Sequence, residues 1–355
     1  MIQVIRTETE FKNLKTDWNK LYGTIDQTTP YQTWSWNFLY WKHFSAYKKL
    51  CILLFKQKGL LKGIAPLWVR DYENLKIVEP IGSRGTDYID ILICKNSKRD
   101  IFSKFIKWFE TSDIDLLNIE DLPHTNLHTN KYLDILESKN LYLNQNPIYC
   151  PCYSIKLENS WEHYLESISR RIKNDIYYYR RYATKHFKKV NYRQASSSEI
   201  SKHFELHQKI RTSKGDRGTY DKTSVRNFIK EYAINMENNN LLKLVFLSFD
   251  GRDVASILGV EWNKERYNIT IGYDPKYSKY RPGTLLYTYD IENCIGRGIT
   301  KYDLSRGSDL YKLTLGAKQK YNVRLVISRS KRNNQLYLKK QRIYWKNSDY
   351  APTER

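Results

Sequence analysis

Two apolar stretches of the chain are each interrupted by a short turn that contains glycine. The first, residues 50–69, reads LCILLFKQKGLLKGIAPLWV, and the second, residues 242–262, reads LKLVFLSFDGRDVASILGVEW. A glycine-containing turn between two apolar strands is a strong local signal for a β-hairpin. The sequence therefore predicts one hairpin in each half of the chain, with turns at residues 58–59 and 250–251.

The segments that follow the two hairpins repeat one order of elements. The predicted elements of the first and second halves are strands 87–94 and 266–274, helices 99–110 and 282–298, and strands 113–123 and 301–309. A crossover helix between two strands places those strands parallel, while the hairpin adds antiparallel strands. The repeat predicts an α/β protein with two duplicated domains in tandem, each a mixed, mostly antiparallel sheet flanked by helices.

The domain boundaries follow from this repeat. Apolar residues at helical spacing precede each hairpin, as in WSWNFLYWKHF at residues 34–44. We predict an N-terminal domain at 1–150, a C-terminal domain at 151–345 and a short tail at 346–355.

The segment SRRIKNDIYYYRRYATKHFKKV, residues 169–190, combines basic and aromatic residues. At about 100° per residue, one narrow helical stripe is apolar and is expected to face a core. The residues of that stripe are Ile172, Ile176, Tyr179, Ala183, Phe187 and Val190. The opposite, basic face includes Arg170, Arg181, Lys185 and Lys188, which can bind phosphates without reading a nucleotide sequence. This face is expected to contact an acidic carrier protein, a tRNA backbone or only water.

The net charge favours anionic partners. A formal charge of +22 over 355 residues creates a positive field that attracts RNA, DNA, acidic proteins, phosphorylated cofactors or anionic lipids. The charge is spread along the chain, so a solvated lysine-rich surface is the alternative interpretation.

The cysteines and the apolar runs narrow the class of protein further. Cys51, Cys94, Cys150, Cys152 and Cys294 form no C-x-x-C pair and no spacing typical of zinc sites. Reduced thiols and no bound metal are therefore expected. The first residues lack the apolar core of a signal peptide, and no apolar run approaches the roughly 20 residues of a membrane span. These patterns predict a soluble cytoplasmic protein.

The segment GYDPKYSKYRPGTLLYTYDIENCIGRGITKYDLSRGSDLYK, residues 272–312, contains the main candidate binding site. Within it, Arg281, Pro282, Gly283 and Thr284 open the second predicted crossover helix. A helix start presents free backbone N–H groups and the positive end of the helix dipole, and a glycine there lets a ligand approach closely. We predict that these four residues bind a pyrophosphate or a phosphopantetheine arm. An ordinary Pro-Gly helix start is the alternative.

A series of short segments in this chain resembles a known family of enzymes. The segments are PYQTWSWNFLYW (30–41), GLLKGIAPLW (59–68), TDYID (86–90), SWEHYLESISRRIKNDIYYYRR (160–181), DGRDVASILG (250–259), GYDPKYSKYRPGTLL (272–286) and KYDLSRGSDLYK (301–312). Their order resembles the GNAT-superfamily acyltransferases of the CelD/BcsL (BioF2-like) type, relatives of the FemAB aminoacyltransferases. The resemblance covers roughly residues 10 to 325.

This resemblance implies two GNAT-like halves, of which the second has the donor pocket and the first is degenerate. It also implies direct transfer of an acyl group from an activated carrier to an amine, without a covalent enzyme intermediate. The second half has KYRPGTLL in place of a complete Q/R-x-x-G-x-G/A phosphate loop. The donor is therefore open between acyl-CoA, the thioester of an acyl carrier protein and the ester of an aminoacyl-tRNA.

Direct transfer needs a base, hydrogen-bond donors for the carbonyl oxygen and an acid for the leaving group. Asp303 and Glu261 near strand ends, and His207 on a helix expected to face the loop at 213–221, are the candidate bases. Tyr273 and Tyr311 are candidate proton donors to a departing thiolate or alkoxide.

Three residues of the last matching segment complete the predicted site. Arg306 and Lys312 are positive groups suited to a phosphate or an acceptor carboxylate. Gly307 would keep the backbone close to the ligand beside them.

Three functions follow from these patterns. The first is an N-acyltransferase that moves an acyl group from acyl-CoA or an acyl carrier protein to an amine on a small molecule or peptide. The second is a FemAB-like transferase that uses aminoacyl-tRNA, favoured by the basic helix and the charge. The third is a nucleic-acid-binding protein without enzymatic activity. The chain has no Walker loop, G-x-S-x-G or H-E-x-x-H motif.

Overall fold

In the computed structural model, the chain folds into two compact units. The residues that it describes are 1–26, 28–83, 85–123, 141–307 and 309–346. Unit 1 comprises the described residues of 1–151 together with those from Tyr321 onward, and unit 2 comprises Cys152–Lys320.

The helices and strands largely follow the predicted pattern. The strands are β1 (Ile2–Ile5), β2 (Lys48–Gln57), β3 (Leu60–Tyr72), β4 (Leu75–Pro80), β5 (Leu92–Ile93), β6 (Leu116–Pro123), β7 (Tyr142–Lys156), β8 (Val190–Ala195), β9 (Leu242–Phe249), β10 (Arg252–Trp262), β11 (Glu265–Tyr273), β12 (Lys301–Arg306) and β13 (Lys318–Ser328). The helices are α1 (Glu8–Asn13), α2 (Lys15–Tyr22), α3 (Trp34–Phe44), α4 (Lys98–Thr111), α5 (Trp161–Ser167), α6 (Arg170–His186), α7 (Ile200–Ser213), α8 (Thr223–Asn238), α9 (Pro282–Gly296) and α10 (Lys331–Lys346).

Each unit has a mixed sheet that is mostly antiparallel. In unit 1 the strand order is β1-β2-β3-β4-β6-β13, with β5 paired to β3. In unit 2 the order is β7-β12-β11-β10-β9-β8. Parallel pairing joins β4 to β6 and β11 to β12, which are the strands on either side of the crossover helices α4 and α9. The predicted α/β class and the repeated order of elements are therefore present.

Both predicted hairpins form. Their turns place Lys58 and Gly59 at φ of 48° and 77°, and Asp250 and Gly251 at 47° and 83°. Two consecutive positive φ angles match the right-handed twist of the flanking strands and favour glycine. The turn chemistry in the sequence thus fixes the β2–β3 and β9–β10 pairs.

Two parts of the chain differ from the prediction. The strand predicted at 87–94 is reduced to β5, because backbone contacts of this segment go elsewhere: Ile89 N donates to the carbonyl of Asp121. The C-terminal segment predicted to belong with the second domain instead lies in unit 1 from Tyr321 onward, where β13 pairs antiparallel with β6. The predicted tail beyond Lys346 lies outside the described residues.

One apolar core supports each unit. In unit 1, Ile101, Phe105 and Phe109 of α4 pack in a cluster with residues of β2, β6 and β13. In unit 2, Leu285 and Ile291 of α9 pack with residues of β10, β12 and α6. The core stripe predicted for α6 is confirmed, since all of its apolar residues other than Tyr179 are in or against this cluster.

Neither a cluster of metal-ligating side chains nor a membrane-spanning helix is found in the described ranges. No group of three or more His, Cys, Asp or Glu residues there is arranged to hold a metal ion. None of the helices described is long and apolar enough to cross a membrane. All five cysteines are free thiols.

Candidate active site

The strands β11 and β12 of unit 2 pair only at their beginnings. Their parallel register starts at Glu265 opposite Lys301 and ends at Tyr267 opposite Asp303, although β11 continues to Tyr273. Beyond that point the two neighbouring strands separate. We call this region, residues 268–273 of β11 and 304–306 of β12, the unit 2 divergence.

A bulge in β11 accounts for the divergence. Leu258 and Gly259 are neighbours on β10, but their partners on β11 are Thr270 and Asn268, so Ile269 is an extra residue. A bulge bends its strand and increases the local twist. Gly259 is required here, because an added Cβ would overlap the carbonyl oxygen of the neighbouring strand at 2.1 Å.

Neutral polar side chains occupy the divergence. Ser305 donates a hydrogen bond from Oγ to the carbonyl of Asn268, and Asn268 Nδ2 donates to the hydroxyl of Tyr287 over 2.8 Å. That hydroxyl lies 3.2 Å from the hydroxyl of Tyr311, and the two rings stack with centroids 5.6 Å apart. Asn268 Oδ1 is buried without a hydrogen-bond partner in the described structure. It is therefore an acceptor available to a ligand.

The two tyrosines of this cluster remain protonated at neutral pH. Burial raises the pKa of Tyr287 well above its ordinary value, and the neighbouring Tyr311 raises it further. Burial also raises the pKa of Tyr311. Both hydroxyls can therefore donate a proton or a hydrogen bond to a developing anion.

The start of α9 is built to receive an anion. Arg281, in the left-handed region with φ of 47°, precedes the helix, and no side chain caps it. Pro282 has no N–H, and the amides of Gly283 and Thr284 have no backbone acceptor among the described residues. The first turn contains no acidic residue. Free N–H groups and the positive end of the helix dipole thus point at one place beside a cation.

Gly283 is held against β11. A Cβ added at this residue would lie 3.3 Å from Ile271 Cδ1 and 3.4 Å from Tyr273 Cδ1, which is closer than most side chains tolerate. Tyr273 is half-buried here, and burial raises its pKa. The predicted donor residue Tyr273 and the predicted anion site therefore lie together.

A buried ion pair fixes α9 to the sheet. Arg266 on β11 is fully buried, and its Nε lies 3.2 Å from Asp290 Oδ2 on α9. Asp290 also accepts from the hydroxyls of Tyr302 and Tyr192, the first at 2.5 Å. The loss of either charge would leave the other buried without its partner, so this pair holds the helix in one position.

A cavity lies between α6 and the first turns of α9. Its lining includes Asp175, Tyr179, Arg281 and Thr284. The Arg281 guanidinium lies over the Tyr179 ring, 4.7 Å from its centroid. Tyr179, predicted as a core residue, lies outside the core cluster and instead forms part of the wall of the candidate donor site.

Asp303 lies where β11 and β12 stop pairing, but its carboxylate is engaged. Oδ1 accepts from the backbone N–H of Ser305 over 2.8 Å, and Oδ2 lies 3.3 Å from Lys301 Nζ. The side chain is 2% exposed. These contacts shape the end of β12, where Ser305 adopts a φ of 57°. Asp303 is thus close to the unit 2 divergence, and its contacts position the end of β12.

Glu261 lies away from the other predicted residues. Its carboxylate forms ion pairs with Arg297 and with Lys243, the latter at 3.3 Å. Burial raises the pKa of Glu261, but hydrogen bonds and charge from Arg297 lower it more, and the net shift is downward. Arg297 follows the last residue of α9, and 15 helical residues span about 22 Å. Glu261 is therefore at the opposite end of α9 from the anion site.

His207 lies on α7, on the other face of β11 from α9. Its ring contacts Tyr220 of the loop at 213–221, with centroids 4.7 Å apart, as predicted. Burial, and then the charge of Arg211, lower the pKa of His207 to about 4, so the ring is neutral at pH 7. Nδ1 has no hydrogen-bond partner in the described structure. Gly272 of β11 allows this approach, since its Cβ would overlap the His207 backbone nitrogen at 2.3 Å.

Lys312 supports the segment after β12. Its side chain is 2% exposed, and Nζ donates to the carbonyls of Ser305, Arg306 and Gly307. Gly307, with a φ of 113°, adopts a conformation that favours glycine. Lys312 therefore holds the backbone of this turn, and the geometry favours a positioning role over phosphate contact. Arg306 is partly exposed at the end of β12.

The predicted basic face of α6 is exposed. Arg170, Arg181, Lys185 and Lys188 are all exposed, and none forms an ion pair with a described residue. The face is therefore available to an anionic partner.

The pattern of the sequence alone did not indicate three residues of this site. Asn268, Tyr287 and Ser305 come together from β11, α9 and β12 only through the divergence. Their one local signal is a polar residue within an apolar element, as with Asn268 inside β11.

Comparison with known proteins agrees with this geometry. Residues 170–313 match the family described as "Acetyltransferase (GNAT) domain". No curated protein matches the sequence.

Three solved structures show a similar fold. FemX has a TM-score of 0.64 at 10% identity, over 92% of this chain and 96% of FemX. The C-terminal domain (DUF2156) of a putative lysylphosphatidylglycerol synthetase from Agrobacterium fabrum has a TM-score of 0.56 at 8% identity, over 95% and 96% of the two chains. A tandem GNAT protein from the clavulanic acid biosynthesis pathway has a TM-score of 0.53 at 8% identity, over 93% and 99%.

These findings confirm the predicted fold of two tandem GNAT-like halves. They also confirm the predicted class of enzyme, because residues 170–313 match a GNAT acetyltransferase domain. Assignment to the CelD/BcsL type stays a prediction.

Proposed function

We propose that the protein is an N-acyltransferase that moves an acyl group from a thioester, on coenzyme A or an acyl carrier protein, directly to an amine on a small molecule or peptide. The observation that carries this proposal is the unit 2 divergence beside the uncapped start of α9. It combines a site for the donor's phosphates with neutral proton donors a short distance along β11. The free cysteines agree with a reducing compartment, so the proposal includes a cytoplasmic location.

The donor binds through the start of α9. The amides of Gly283 and Thr284, with the Arg281 guanidinium, hold phosphate oxygens. The thioester then extends along β11 towards Asn268 and Tyr311. This placement leaves the reacting carbonyl between the anion site and the neutral polar cluster.

The reaction is a direct displacement. The amine nitrogen attacks the thioester carbon, a C–N bond forms, the C–S bond breaks, and the sulfur leaves as a thiolate. The Tyr311 hydroxyl donates its proton to that thiolate, with Tyr287 next to it to share the charge. The proton lost by the amine restores Tyr311 by way of the base and water.

We propose His207 as the base. Its imidazole is neutral at pH 7 and has an unpartnered Nδ1, whereas Asp303 and Glu261 are engaged with cations. A neutral imidazole can accept the proton of the amine as the C–N bond forms, because the nitrogen becomes more acidic at that stage. The amine would approach from the α7 face of β11 while the donor binds on the α9 face.

Transfer from aminoacyl-tRNA is the second candidate function. The basic face of α6 and the net charge of +22 favour this function. The similarity of the fold to that of FemX, with a TM-score of 0.64, also supports it. Binding to tRNA should weaken steeply as the salt concentration rises. For each phosphate that the protein contacts, a tenfold increase in salt should lower the logarithm of the binding constant by about 0.7 to 0.9. Binding of a small thioester should change far less.

The test is intact mass spectrometry of candidate amines incubated with the protein and one donor at a time. The donors are acyl-CoAs, acylated carrier protein and charged tRNA. A mass increase equal to the acyl group with a thioester donor supports the proposal, and an increase with charged tRNA alone supports the second candidate. No transfer from any thioester, by protein that binds the donor, would contradict the proposal.

A further inference from the structure

We propose that Tyr178 and Tyr182 of α6 form a stacking position for the adenine base of a phosphorylated adenosine on the donor. This inference rests on the proposed function and specifies the kind of donor. Its basis is a row of aromatic rings along one face of α6 whose inner ring, Tyr182, packs against the core and whose outer ring, Tyr178, does not.

The row consists of residues four apart on the helix. The rings of Tyr178 and Tyr182 are stacked, with centroids 5.6 Å apart and planes at 10°, and the His186 ring lies 4.4 Å from that of Tyr182. Tyr280, which precedes the anion site, supports Tyr182 at 5.2 Å. Rings held in this way lose little freedom when a further ring stacks on them.

Tyr178 is the open end of this row. It is 51% exposed, and the stack on Tyr182 occupies only one side of its ring. A large, exposed and pre-positioned aromatic face of this kind is what a base needs for stacking. Tyr177 on the same helix is 43% exposed but contacts no ring of a described residue, so exposure alone does not create the row.

The row is next to the predicted phosphate site. Arg281 lies 4.7 Å from the Tyr179 centroid, and Tyr179 lies 5.1 Å from Tyr178. Two ring contacts therefore connect the start of α9 to the open face of Tyr178. A ligand with its pyrophosphate on α9 would have its adenosine close to this face.

The charges beside the row fit a phosphorylated nucleoside. Arg181 and Lys185 are exposed, and each lies three residues after a tyrosine of the row, which places it on the neighbouring turn. One acid, Asp175, lies three residues before Tyr178. The net charge beside the stacking face is positive, as required for a phosphate on the ribose or in a nucleic-acid backbone.

Phosphorylated adenosine is common to two of the three candidate donors. It forms one end of coenzyme A and the 3′ end of tRNA. An acyl carrier protein presents its phosphopantetheine without a nucleotide. A stacking site for adenine therefore favours coenzyme A or tRNA over a carrier protein.

The experiment is isothermal titration calorimetry of the full-length protein with three probes: coenzyme A, 4′-phosphopantetheine and an oligonucleotide ending in CCA. Tyr178→Ala should weaken binding of the adenosine-bearing ligand by about fivefold or more, the effect expected for one base stacked on an aromatic ring. It should leave 4′-phosphopantetheine binding unchanged. Tyr178→Phe should restore the affinity, because stacking needs no hydroxyl, and Tyr177→Ala serves as the matched control.

The outcomes distinguish coenzyme A from tRNA as the source of the adenosine. They also distinguish failure of the stacking site from failure of the proposed function. Loss with coenzyme A identifies a coenzyme A donor, and loss with the oligonucleotide alone identifies the end of a tRNA. Three outcomes would overturn the inference. Tyr178→Ala could bind both adenosine-bearing probes with unchanged affinity, or it could lose affinity equally for 4′-phosphopantetheine. The third is a wild-type protein that binds none of the probes. A wild-type protein that binds coenzyme A through Tyr178 but transfers no acyl group would instead contradict the proposed function and leave the stacking site standing.

Discussion

In unit 1 the strands β4 and β6 pair in parallel at Ile77–Leu116 and Val78–Leu117 and then separate, as β11 and β12 do in unit 2. The first residue of β4 beyond the pairing is Glu79, and that of β11 is Asn268. The two units therefore have the same backbone device, a parallel pair that diverges after two or three residues.

The side chains at the two divergences differ in charge. In unit 1, Glu79 accepts from Arg70 and Trp68, while Arg324 Nε donates to Asn118 and its NH2 lies 3.3 Å from Glu120. Glu79 and Glu120 are 3% and 0% exposed. Unit 2 has Asn268, Ser305 and two tyrosine hydroxyls in the corresponding region.

The helices that follow also start differently. α9 begins soon after β11, with Arg281 before it and no acid in its first turn. α4 begins only after the segment 81–97, and its first turn contains Asp100, which binds Gln57 and Lys104. An acid at this place repels an anion, and the repulsion offsets the attraction of the helix dipole.

The separation of two parallel strands is therefore not enough to form a donor site. A buried ionic network holds the unit 1 divergence together, whereas the side chains that contact one another at the unit 2 divergence, Asn268 and the hydroxyls of Tyr287 and Tyr311, are neutral. The contrast supports the expectation that the first half is degenerate as a donor site.

The largest expected effect is the loss of the unit 1 network. Arg324→Met removes the guanidinium beside the buried Glu120, which should reduce the free energy of unfolding of unit 1 by about 3–5 kcal/mol. Hydrogen exchange of peptides from α4 and β6, measured by mass spectrometry, would report this loss. The double variant Arg324→Met with Glu120→Gln should recover part of it. Unchanged exchange in the single variant would show that the network does not hold unit 1.

Acid should act on unit 2 through its buried histidines. Burial lowers the pKa of His203 well below its ordinary value and that of His207 to about 4. The unfolded chain takes up protons near pH 6.5, so it binds more protons than the folded chain, and stability falls as the pH falls from about 6.5 towards 4. His207 alone should account for up to about 3 kcal/mol of this loss.

Urea unfolding between pH 7 and pH 4 tests this dependence. His207→Gln should flatten the pH profile, and the exposed His163→Gln should leave it as in the wild type. A profile as steep in His207→Gln as in the wild type would contradict the assigned shift.

Catalysis should depend on the tyrosine hydroxyl at the unit 2 divergence and not on the one at the unit 1 network. Tyr311→Phe should lower kcat about 100-fold with little change in KM, since the proton donor is needed only as the thiolate leaves. Tyr337→Phe, at the unit 1 network, should retain the kcat of the wild type. Steady-state kinetics with the donor identified by mass spectrometry would compare the two variants. Equal losses would remove the distinction between the units.

The smallest effect concerns the two helix starts. Arg281→Ala should weaken donor binding about tenfold, the value of one charge-assisted hydrogen bond. Arg99→Ala, in the first turn of α4, should leave it unchanged. Calorimetry with the donor measures both affinities. A comparable loss in Arg99→Ala would assign a donor contact to unit 1.

Local features of the fold could be predicted because they depend on residues close in sequence. The Lys58-Gly59 and Asp250-Gly251 turns need positive φ angles, which glycine adopts without strain, and Pro282 can only begin a helix. The choice of sheet for β13 could not be predicted, because its apolar pattern fits either unit. Its partner β6 is about 200 residues earlier in the chain.

The candidate site was predictable only in part for the same reason. The residues at the start of α9 are consecutive and could be found from their type. The roles of Lys312 and Glu261 depend on which groups surround them in space: three backbone carbonyls for the first, Arg297 and Lys243 for the second. A sequence shows their charge but not these partners.

The return of β13 to unit 1 has a consequence for synthesis on the ribosome. The chain emerges from its N-terminus, so the sheet of unit 1 has an uncovered edge at β6 until all of unit 2 has been translated. Until then Glu120 also lacks Arg324, the cation that accompanies it in the folded protein. Unit 2 can therefore fold first during translation, and a chain cut short before β13 should be degraded through its N-terminal half.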